Sequence, residues 1–369
     1  MRVVHFINGL GKGGAETMLS NVLRYRSGIE NEIRVVSLGL THYYEDEIRS
    51  TGAVLIDLDL RKRPFSALVR SFREIKKSDV LCCWMYHCNF LGYYLGRLAK
   101  CKRIVWNIRH SNFEPQYNNS LTLKIIRHCV RLSPRVDLIA YNGERARKMH
   151  EAMGYAGNSI VLRNGCDTEY YRLLSDAGQR LKRKLKIPEQ KQIVLSVCRY
   201  HPIKDIPMFL DTFALIRKGS PNVVAVMCGN GLSADNGELC EQIAQKDLKI
   251  GQDIWLTGLR NDLPEYFSAC DLFLLHSAGE AFPNTLLQAM ACQCVCLSTD
   301  VGDAGKILRN PAYLFKSGDA YAMAAKGLEL LGKAETDRAE IGRENSGIIL
   351  KDYDLKAVIR SYESNFVEQ

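Results

Sequence analysis

The polar residues of Ser277 to Gln293, Ser-Ala-Gly-Glu-Ala-Phe-Pro-Asn-Thr-Leu-Leu-Gln-Ala-Met-Ala-Cys-Gln, lie between two apolar runs, and their spacing suits the binding of an anion. Asp271 to Leu275 reads as a short buried strand, while Leu286, Leu287, Ala289, Met290 and Ala291 continue as a helix. Pro283 is expected at the first helical position, where its fixed φ suits the helix and its missing N–H would have been unpaired anyway. The backbone N–H groups around Ala281, Phe282, Asn284 and Thr285 then point into the loop at the positive end of the helix dipole. Glu280 stands just outside this helix start, and Gln288 shares a face with Asn284 and Ala281. An acidic residue near a helix N-terminus and a solvated glutamine would satisfy the same pattern.

A second strand-to-helix turn supplies cations. After the apolar run Gln192 to Val197 come Arg199 and Lys204, one on each side of the turn. Two fixed cations beside helix N–H groups suit a diphosphate, although such a turn standing alone would also suit two surface charges. Gly229 follows the run Val223 to Met227, and Gly258-Leu259-Arg260-Asn261-Asp262 follows Ile254 to Thr257. Four loops are therefore expected at one edge of one sheet.

Alternating strand and helix patterns must position these loops. Strands are predicted at Arg2 to Ile7, Glu32 to Leu38, Val54 to Leu58, Val80 to Trp84, Arg103 to Ile108 and Val136 to Tyr141, and the alternation restarts at Gln192. The expectation is an α/β protein of two doubly wound domains of similar size, with a ligand cleft at the C-terminal ends of their strands. Residues 1–170 form the first domain, 171–188 a polar linker, 189–350 the second domain, and 351–369 an amphipathic C-terminal helix.

The first strand leads into Gly9-Leu10-Gly11-Lys12-Gly13-Gly14, which satisfies G-x-G-x-x-G and opens a helix at Ala15. A dinucleotide-dependent oxidoreductase is the rival reading. It needs an acidic residue for the adenosine ribose at the end of the second strand, and Val36-Ser37-Leu38-Gly39-Leu40 offers none. What remains is that Gly11, Gly13 and Gly14 permit close backbone approach at a helix start.

The composition, 46% hydrophobic and 25% charged over 369 residues, is that of an ordinary soluble chain. No apolar run reaches membrane-span length, and the N-terminus runs straight into a strand without a signal-peptide pattern. The 13 cysteines show no metal-ligand spacing and read as small hydrophobes in a reducing cytoplasm. The net charge of +9 is concentrated between Arg61 and Lys148, where 19 Lys and Arg stand against 5 Asp and Glu. A helix carrying Arg70, Arg73, Lys76 and Lys77 beside Phe65, Leu68, Val69 and Phe72 suits an anionic membrane surface, or simply a solvated face. No nucleic-acid motif interleaves with this charge.

Together the Gly-Gly-Ala-Glu start, Asn164-Gly165-x-Asp167, Arg199 with Lys204, Gly258-x-Arg260-x-Asp262 and Glu-x-Phe-Pro-Asn-x-Leu-Leu resemble the family 4 retaining glycosyltransferases of the GT-B fold. The resemblance spans nearly the whole chain. It implies two Rossmann-like domains facing across a cleft, the first binding an acceptor and the second a nucleotide sugar, with the C-terminal helix returning to the first. It implies hexosyl transfer without a metal or other cofactor. Arg199 and Lys204 would hold the donor diphosphate with the helix start at Ala281 to Thr285, Glu280 would bind donor-sugar hydroxyls, and Gln288 would take the ribose position. Asp300-Val301-Gly302-Asp303-Ala304 is similar to a turn of members that build surface polysaccharides.

Three positions depart from the family pattern. Gln288 replaces a second Glu and loses the charge-assisted bond, a difference of ~1 kcal/mol. Gln293 replaces a helix-ending Gly, at ~1 kcal/mol if the left-handed geometry is kept. Ala281 stands where Gly is commoner, narrowing the space beside the donor sugar.

No nucleophile is well placed for a double displacement. The resemblance implies same-face attack, in which the leaving diphosphate accepts the acceptor's proton while Arg199, Lys204 and the helix dipole stabilise its charge. His110, at the end of a first-domain strand, is the candidate hydrogen-bond partner of the transferred sugar; a half-exposed loop histidine is the plainer reading. Asn142, at another strand end, is a lesser candidate. The expected activity is transfer from a UDP- or GDP-linked sugar to a lipid-linked saccharide in O-antigen or capsule synthesis, by a cytoplasmic protein at the inner membrane face. A nucleotide-sugar-binding protein that has lost turnover is the alternative.

Overall fold

The computed structural model describes residues 1–27, 32–39 and 42–366. They divide into two compact units, one formed by residues 1–165 with the segment from Leu355 onward, the other by Cys166–Asp354. The central strands of both sheets, rich in β-branched and aromatic residues, are buried on both faces, as parallel strands under helical crossovers must be, while the edge strands are partly exposed.

In the first unit the strands are β1 (Arg2–Ile7), β2 (Glu32–Ser37), β3 (Val54–Asp57), β4 (Val80–Trp84), β5 (Arg103–Ile108), β6 (Leu138–Tyr141) and β7 (Ser159–Val161). They pair in parallel in the order β3-β2-β1-β4-β5-β6-β7. The helices between them are α1 (Gly14–Tyr25), α2 (Glu45–Ser50), α3 (Pro64–Ile75), α4 (Met85–Leu98), α5 (Ser120–Leu132) and α6 (Glu144–Met153). Alternate side chains part to the two faces. Phe6, Leu81, Cys83, Ile104 and Trp106 meet the layer that includes α3, α4 and α5, while Val3, Val35, Cys82 and Val105 meet α1 and α2.

In the second unit the strands are β8 (Gln192–Val197), β9 (Val223–Cys228), β10 (Ile254–Leu256), β11 (Leu272–Leu275), β12 (Cys296–Thr299) and β13 (Leu314–Phe315), in the parallel order β10-β9-β8-β11-β12-β13. Its helices are α7 (Ala177–Leu185), α8 (Ile206–Gly219), α9 (Gly237–Ala244), α10 (Leu263–Ala269), α11 (Asn284–Ala291), α12 (Ala304–Leu308), α13 (Ala320–Leu331) and α14 (Glu335–Asp352). The chain ends in α15 (Leu355–Phe366), whose Leu355, Ile359, Tyr362 and Phe366 are buried in the core shared with α1. Residues 367–369 of the expected C-terminal helix, and Leu40 of the expected second-strand end, lie outside the described residues.

One expectation is corrected here. The segment 171–188, expected as a linker, carries α7, and its Ala177, Leu181 and Ile187 are buried against α10 in the second unit. Charged residues between those three positions hide the apolar stripe in the sequence. On α3 the buried residues are Ala67, Ser71 and Ile75; Leu68, Val69 and Phe72 are half-buried, and Phe65 is 80% exposed.

Candidate active site

In the second unit the strand order reverses between β8 and β11, so the loops leaving these two strands diverge to opposite faces and open a crevice at their C-terminal ends. Arg199 and Lys204 leave β8; Ser277 and Glu280 leave β11 and lead into α11. The Lys204 ammonium forms an ion pair with Glu280 Oε1, and Ser277 Oγ donates to the same oxygen at 2.8 Å. Both charged side chains are mostly buried, 19% and 13% exposed, so water screens the pair weakly.

The Lys204 turn is held in place by its surroundings. Pro202–Lys204 form a single helical turn, and Asp205 follows at φ +50, where its Oδ1 accepts the N–H of Met208 and caps α8. The Ala278 N–H donates to the Ile203 carbonyl at 2.9 Å, tying this turn to the segment after β11. On its other side, Gly302 sits so close to the Glu280 loop that a Cβ would stand 2.7 Å from the Glu280 carbonyl.

The remaining strand-end loops are laced together through backbone. Gly229 N–H donates to the Gly258 carbonyl at 2.8 Å, Gly258 N–H to that of Leu232 at 2.8 Å, and Tyr200 N–H to that of Asn230 at 2.7 Å. Gly229 lies at φ +145, and a Cβ there would fall 1.6 Å from the Cys198 carbonyl oxygen. Only glycine fits. Arg199, next in the chain, is exposed.

α11 begins at Asn284, with Pro283 as its N-cap residue rather than its first helical one. Leu286, Leu287, Ala289, Met290 and Ala291 are buried, whereas Asn284, Thr285 and Gln288 are half-buried and form the helix's polar stripe. Phe282 is 5% exposed, with its ring packed near Tyr353, and Pro283 is also buried. These two can therefore face a ligand through backbone only. Gln293 is left-handed at φ +64, a conformation that glycine adopts without strain.

Arg260 is committed elsewhere. Its guanidinium makes a two-pronged contact with Asp262 at 2.8 and 2.7 Å and lies over the Tyr266 ring, and Lys184 of α7 joins the same carboxylate at 2.8 Å. These bonds raise the Arg260 pKa and hold the Asp262 carboxyl well below its usual range.

One side chain of the site escaped the sequence reading. His276 is 2% exposed; its Nε2 lies 2.7 Å from Ser196 Oγ and its Nδ1 3.1 Å from the Asp205 carbonyl. Burial lowers its pKa to about 4. The signal was present in the two-residue period, which puts His276 on the same face as Leu272 and Leu274, turned toward α8. Cys198, near Lys204, is pushed up to about 11 by burial and so is a thiol at neutral pH.

Gly13, Gly14, His110 and Asn142 belong to the first unit. Gly13 is the N-cap of α1 and accepts the N–H and hydroxyl of Thr17; Gly14 is the first helical residue. His110 Nε2 lies 3.0 Å from Asn118 Oδ1, the Asn118 amide nitrogen being spent on the Asn112 and Glu114 carbonyls. Burial lowers its pKa, which keeps the ring neutral near pH 7. Asn142 is 3% exposed, and its Oδ1 is a buried acceptor without a hydrogen-bond partner among the described residues. Arg109, noticed in the sequence only as a neighbour of His110, is buried: it binds Asn107 Oδ1 at 3.1 Å, Asn164 Oδ1 and Tyr362 Oη, and lies over the Trp84 ring. It thus joins the end of β5 to α15 and to the Asn164-Gly165 segment.

Among the described residues His42, Glu45 and Asp57 could converge on a cation, but Arg49 contacts both carboxylates and His42 pairs with Glu45 at 2.7 Å. No described helix is long and apolar enough to cross a membrane.

Residues 178–346 match the family model described as Glycosyl transferases group 1. Over 80% of its length, and 80% of the relative's, the chain is 23% identical to the N-acetylgalactosamine-N,N'-diacetylbacillosaminyl-diphospho-undecaprenol 4-alpha-N-acetylgalactosaminyltransferase of Campylobacter jejuni. It is 22% identical to the UDP-Gal:alpha-D-GlcNAc-diphosphoundecaprenol alpha-1,3-galactosyltransferase of Escherichia coli, over 73% of this chain and 71% of that one. Among solved structures it is similar to Anabaena HepE in complex with UDP and glucose, at a TM-score of 0.85 and 19% identity over the whole of both chains. The dinucleotide oxidoreductase suggested by the glycine loop is thereby overturned. The match to the glycosyl transferases group 1 model is confined to residues 178–346 of the second unit, the fold is that of the GT-B class, and the protein is a glycosyltransferase.

Proposed function

We propose that the protein transfers a sugar, with retention, from a UDP- or GDP-linked donor to a lipid-linked saccharide in the synthesis of a bacterial surface polysaccharide. The observation that carries this reading is the Lys204–Glu280 pair at the strand-order switch, beside the start of α11. An ammonium and a carboxylate in contact there suit adjoining parts of one ligand, phosphate for the cation and sugar hydroxyls for the anion. The names of the similar Campylobacter and Escherichia enzymes, with their undecaprenyl diphosphate acceptors, support the lipid-linked acceptor, and the UDP of the HepE complex supports the donor class.

Arg199 and Lys204 neutralise the diphosphate together with the N–H groups at the start of α11, and Gln288 takes the ribose. The acceptor hydroxyl attacks the anomeric carbon on the face the diphosphate leaves; the C–O bond to the diphosphate breaks, and the acceptor's proton passes to a departing phosphate oxygen. Charge grows on that oxygen, so donors fixed around it lower the barrier. No metal or other cofactor is needed in this scheme. His110 is proposed to bond the transferred sugar once its contact with Asn118 is exchanged, and Asn142, Gly13 and Gly14 to serve the same end of the reaction.

Peripheral attachment to the inner face of the cell membrane is part of the proposal. α4 lies between α3 and α5, and the outward side of this layer exposes Arg70, Arg73, Lys76, Lys77, Arg127 and Arg131. Phe65, Leu98 and Leu121 are 80%, 71% and 57% exposed on the same three helices. Cations attract anionic lipid at about 1 kcal/mol each near the surface, and exposed apolar side chains add insertion.

Purified protein given a panel of nucleotide sugars and an undecaprenyl-diphosphate-linked saccharide should release nucleoside diphosphate, with and without EDTA, and the product's anomeric configuration should match the donor's. Lys204→Ala with Arg199→Ala should abolish release. Donor binding with no release from any pair would instead leave a nucleotide-sugar-binding protein. Sedimentation with phosphatidylglycerol vesicles should fall at high salt, and absence of binding at low salt would refute the membrane surface.

A further inference from the structure

Lys204 and Glu280 reach each other from loops after different strands, and a few bonds around His276 join those loops. The Asp205 carbonyl can only accept, so His276 Nδ1 carries the proton and donates to it at 3.1 Å. Nε2 is then the acceptor and takes the Ser196 hydroxyl at 2.7 Å. The ring is also packed against Phe209 of α8, with centroids 5.1 Å apart. His276 therefore spans three pieces: the last residues of β8, the first turn of α8, and the segment following β11. Its bond lands on the residue after Lys204, and it lies four residues before Glu280. Between these points Ala278 N–H holds the Ile203 carbonyl at 2.9 Å, and Ser277 holds Glu280.

We propose that His276 is a positioning residue, a neutral clamp that fixes the Lys204 ammonium against Glu280 and so presets the spacing between the phosphate-binding and sugar-binding parts of the donor site. The proposal rests on the donor reading given above. Ring size and polarity make histidine suited to the task. Lysine or arginine would bring a further cation into a nearly water-free position, while an aliphatic residue would leave the Asp205 carbonyl with only the Phe209 N–H at 3.4 Å and the Ser196 hydroxyl with only the Cys198 sulfur at 3.8 Å. The clamp touches no reacting atom. It acts by removing freedom from a turn that contains a left-handed residue, Asp205 at φ +50.

Three substitutions separate this role from a general need for a filled core. In His276→Asn the amide nitrogen falls near the Nδ1 position and keeps the bond to Asp205. His276→Gln reaches instead toward Ser196 and loses it, and His276→Leu fills volume with neither bond. The expected order of donor kcat/KM is wild type close to Asn, then Gln and Leu lower by about tenfold or more, as a displacement near 1 Å at a reacting site predicts. The loss should appear mainly in donor KM if the ammonium binds the ground-state diphosphate. In a Lys204→Ala background His276→Gln should cost little further, because the clamp has nothing left to place.

A second readout is independent of turnover. Brief acetylation with an amine-directed reagent, read by mass spectrometry, should label Lys204 more in the Gln and Leu variants than in wild type or the Asn variant. If the wild type releases nucleoside diphosphate from no donor, the donor reading fails while the labelling still decides the clamp. Equal labelling in all four proteins, or a Gln effect fully retained in the Lys204→Ala background, would overturn it.

Discussion

Burial of neutral histidines makes the first unit sensitive to mild acid, and His150 allows the effect to be isolated. His150 is fully buried among Tyr86, Tyr141, Tyr155 and Phe113, with Nδ1 2.7 Å from the Ala146 carbonyl and Nε2 2.8 Å from Tyr86 Oη. Loss of hydration outweighs these bonds and lowers its pKa to about 4. In the unfolded chain the same group titrates near the ordinary value of about 6.5. Stability is therefore full above that value, falls as the pH drops from 6.5 to 4 because only the unfolded chain takes up the proton, and is level below 4. Between pH 7 and pH 5 the loss from this one group is about 2 kcal/mol. His5, lowered to about 3 by burial and then by Arg26, adds a similar loss in the same unit. Urea unfolding at both pH values should be followed by tryptophan fluorescence in a Trp255→Phe background, which leaves Trp84 and Trp106 of the first unit as the emitters. His150→Asn and His150→Gln both abolish the titration, and whichever folds should lose about 2 kcal/mol less than its parent across the interval. An identical pH dependence in parent and variant would refute the buried neutral state of His150.

Further perturbations test the donor site and its supports. Gln288→Glu should tighten donor binding by about 1 kcal/mol, roughly fivefold, if this position meets the ribose, and unchanged affinity in calorimetry would remove it from the site. Gln293→Gly should stabilise the second unit by ~1 kcal/mol, read as a rise of a few degrees in its melting midpoint, because φ +64 costs a residue with a Cβ. Gly229→Ala should destabilise by at least about 1–3 kcal/mol and weaken donor binding through Arg199, since the new Cβ would meet the Cys198 carbonyl. A Gly229→Ala protein with unchanged melting and affinity would show that the loop relaxes freely.

The doubly wound layout of both units was legible because buried parallel strands are continuous apolar runs, and the lengths between them fit single helices. The strand-end position of Arg199, Lys204 and Glu280 followed from the same alternation, since a residue just past such a run must lie at the C-terminal edge of the sheet. Local chemistry was legible too. The family resemblance marked Gln293 as a helix end where a glycine commonly stands, with a cost if the left-handed geometry is kept, and its φ is positive. Contacts between distant segments were not. Nothing in the neighbourhood of Lys204 in the chain says that its ammonium meets Glu280, 76 residues away. That Arg260 would turn to Asp262 and Tyr266, and that Phe282 would face the core, depended on side-chain directions fixed only by packing. α7 was hidden because an apolar stripe of few residues among many charges becomes visible only against the helix it covers. His276 looked like one more residue beyond a strand until the fold brought Ser196 and the Asp205 carbonyl to its two nitrogens. Sequence patterning determines which residues reach the edge of each sheet, because periodicity is local. Which of them bond to one another was decided only by the tertiary structure, because strand order and burial join parts of the chain that share no local pattern.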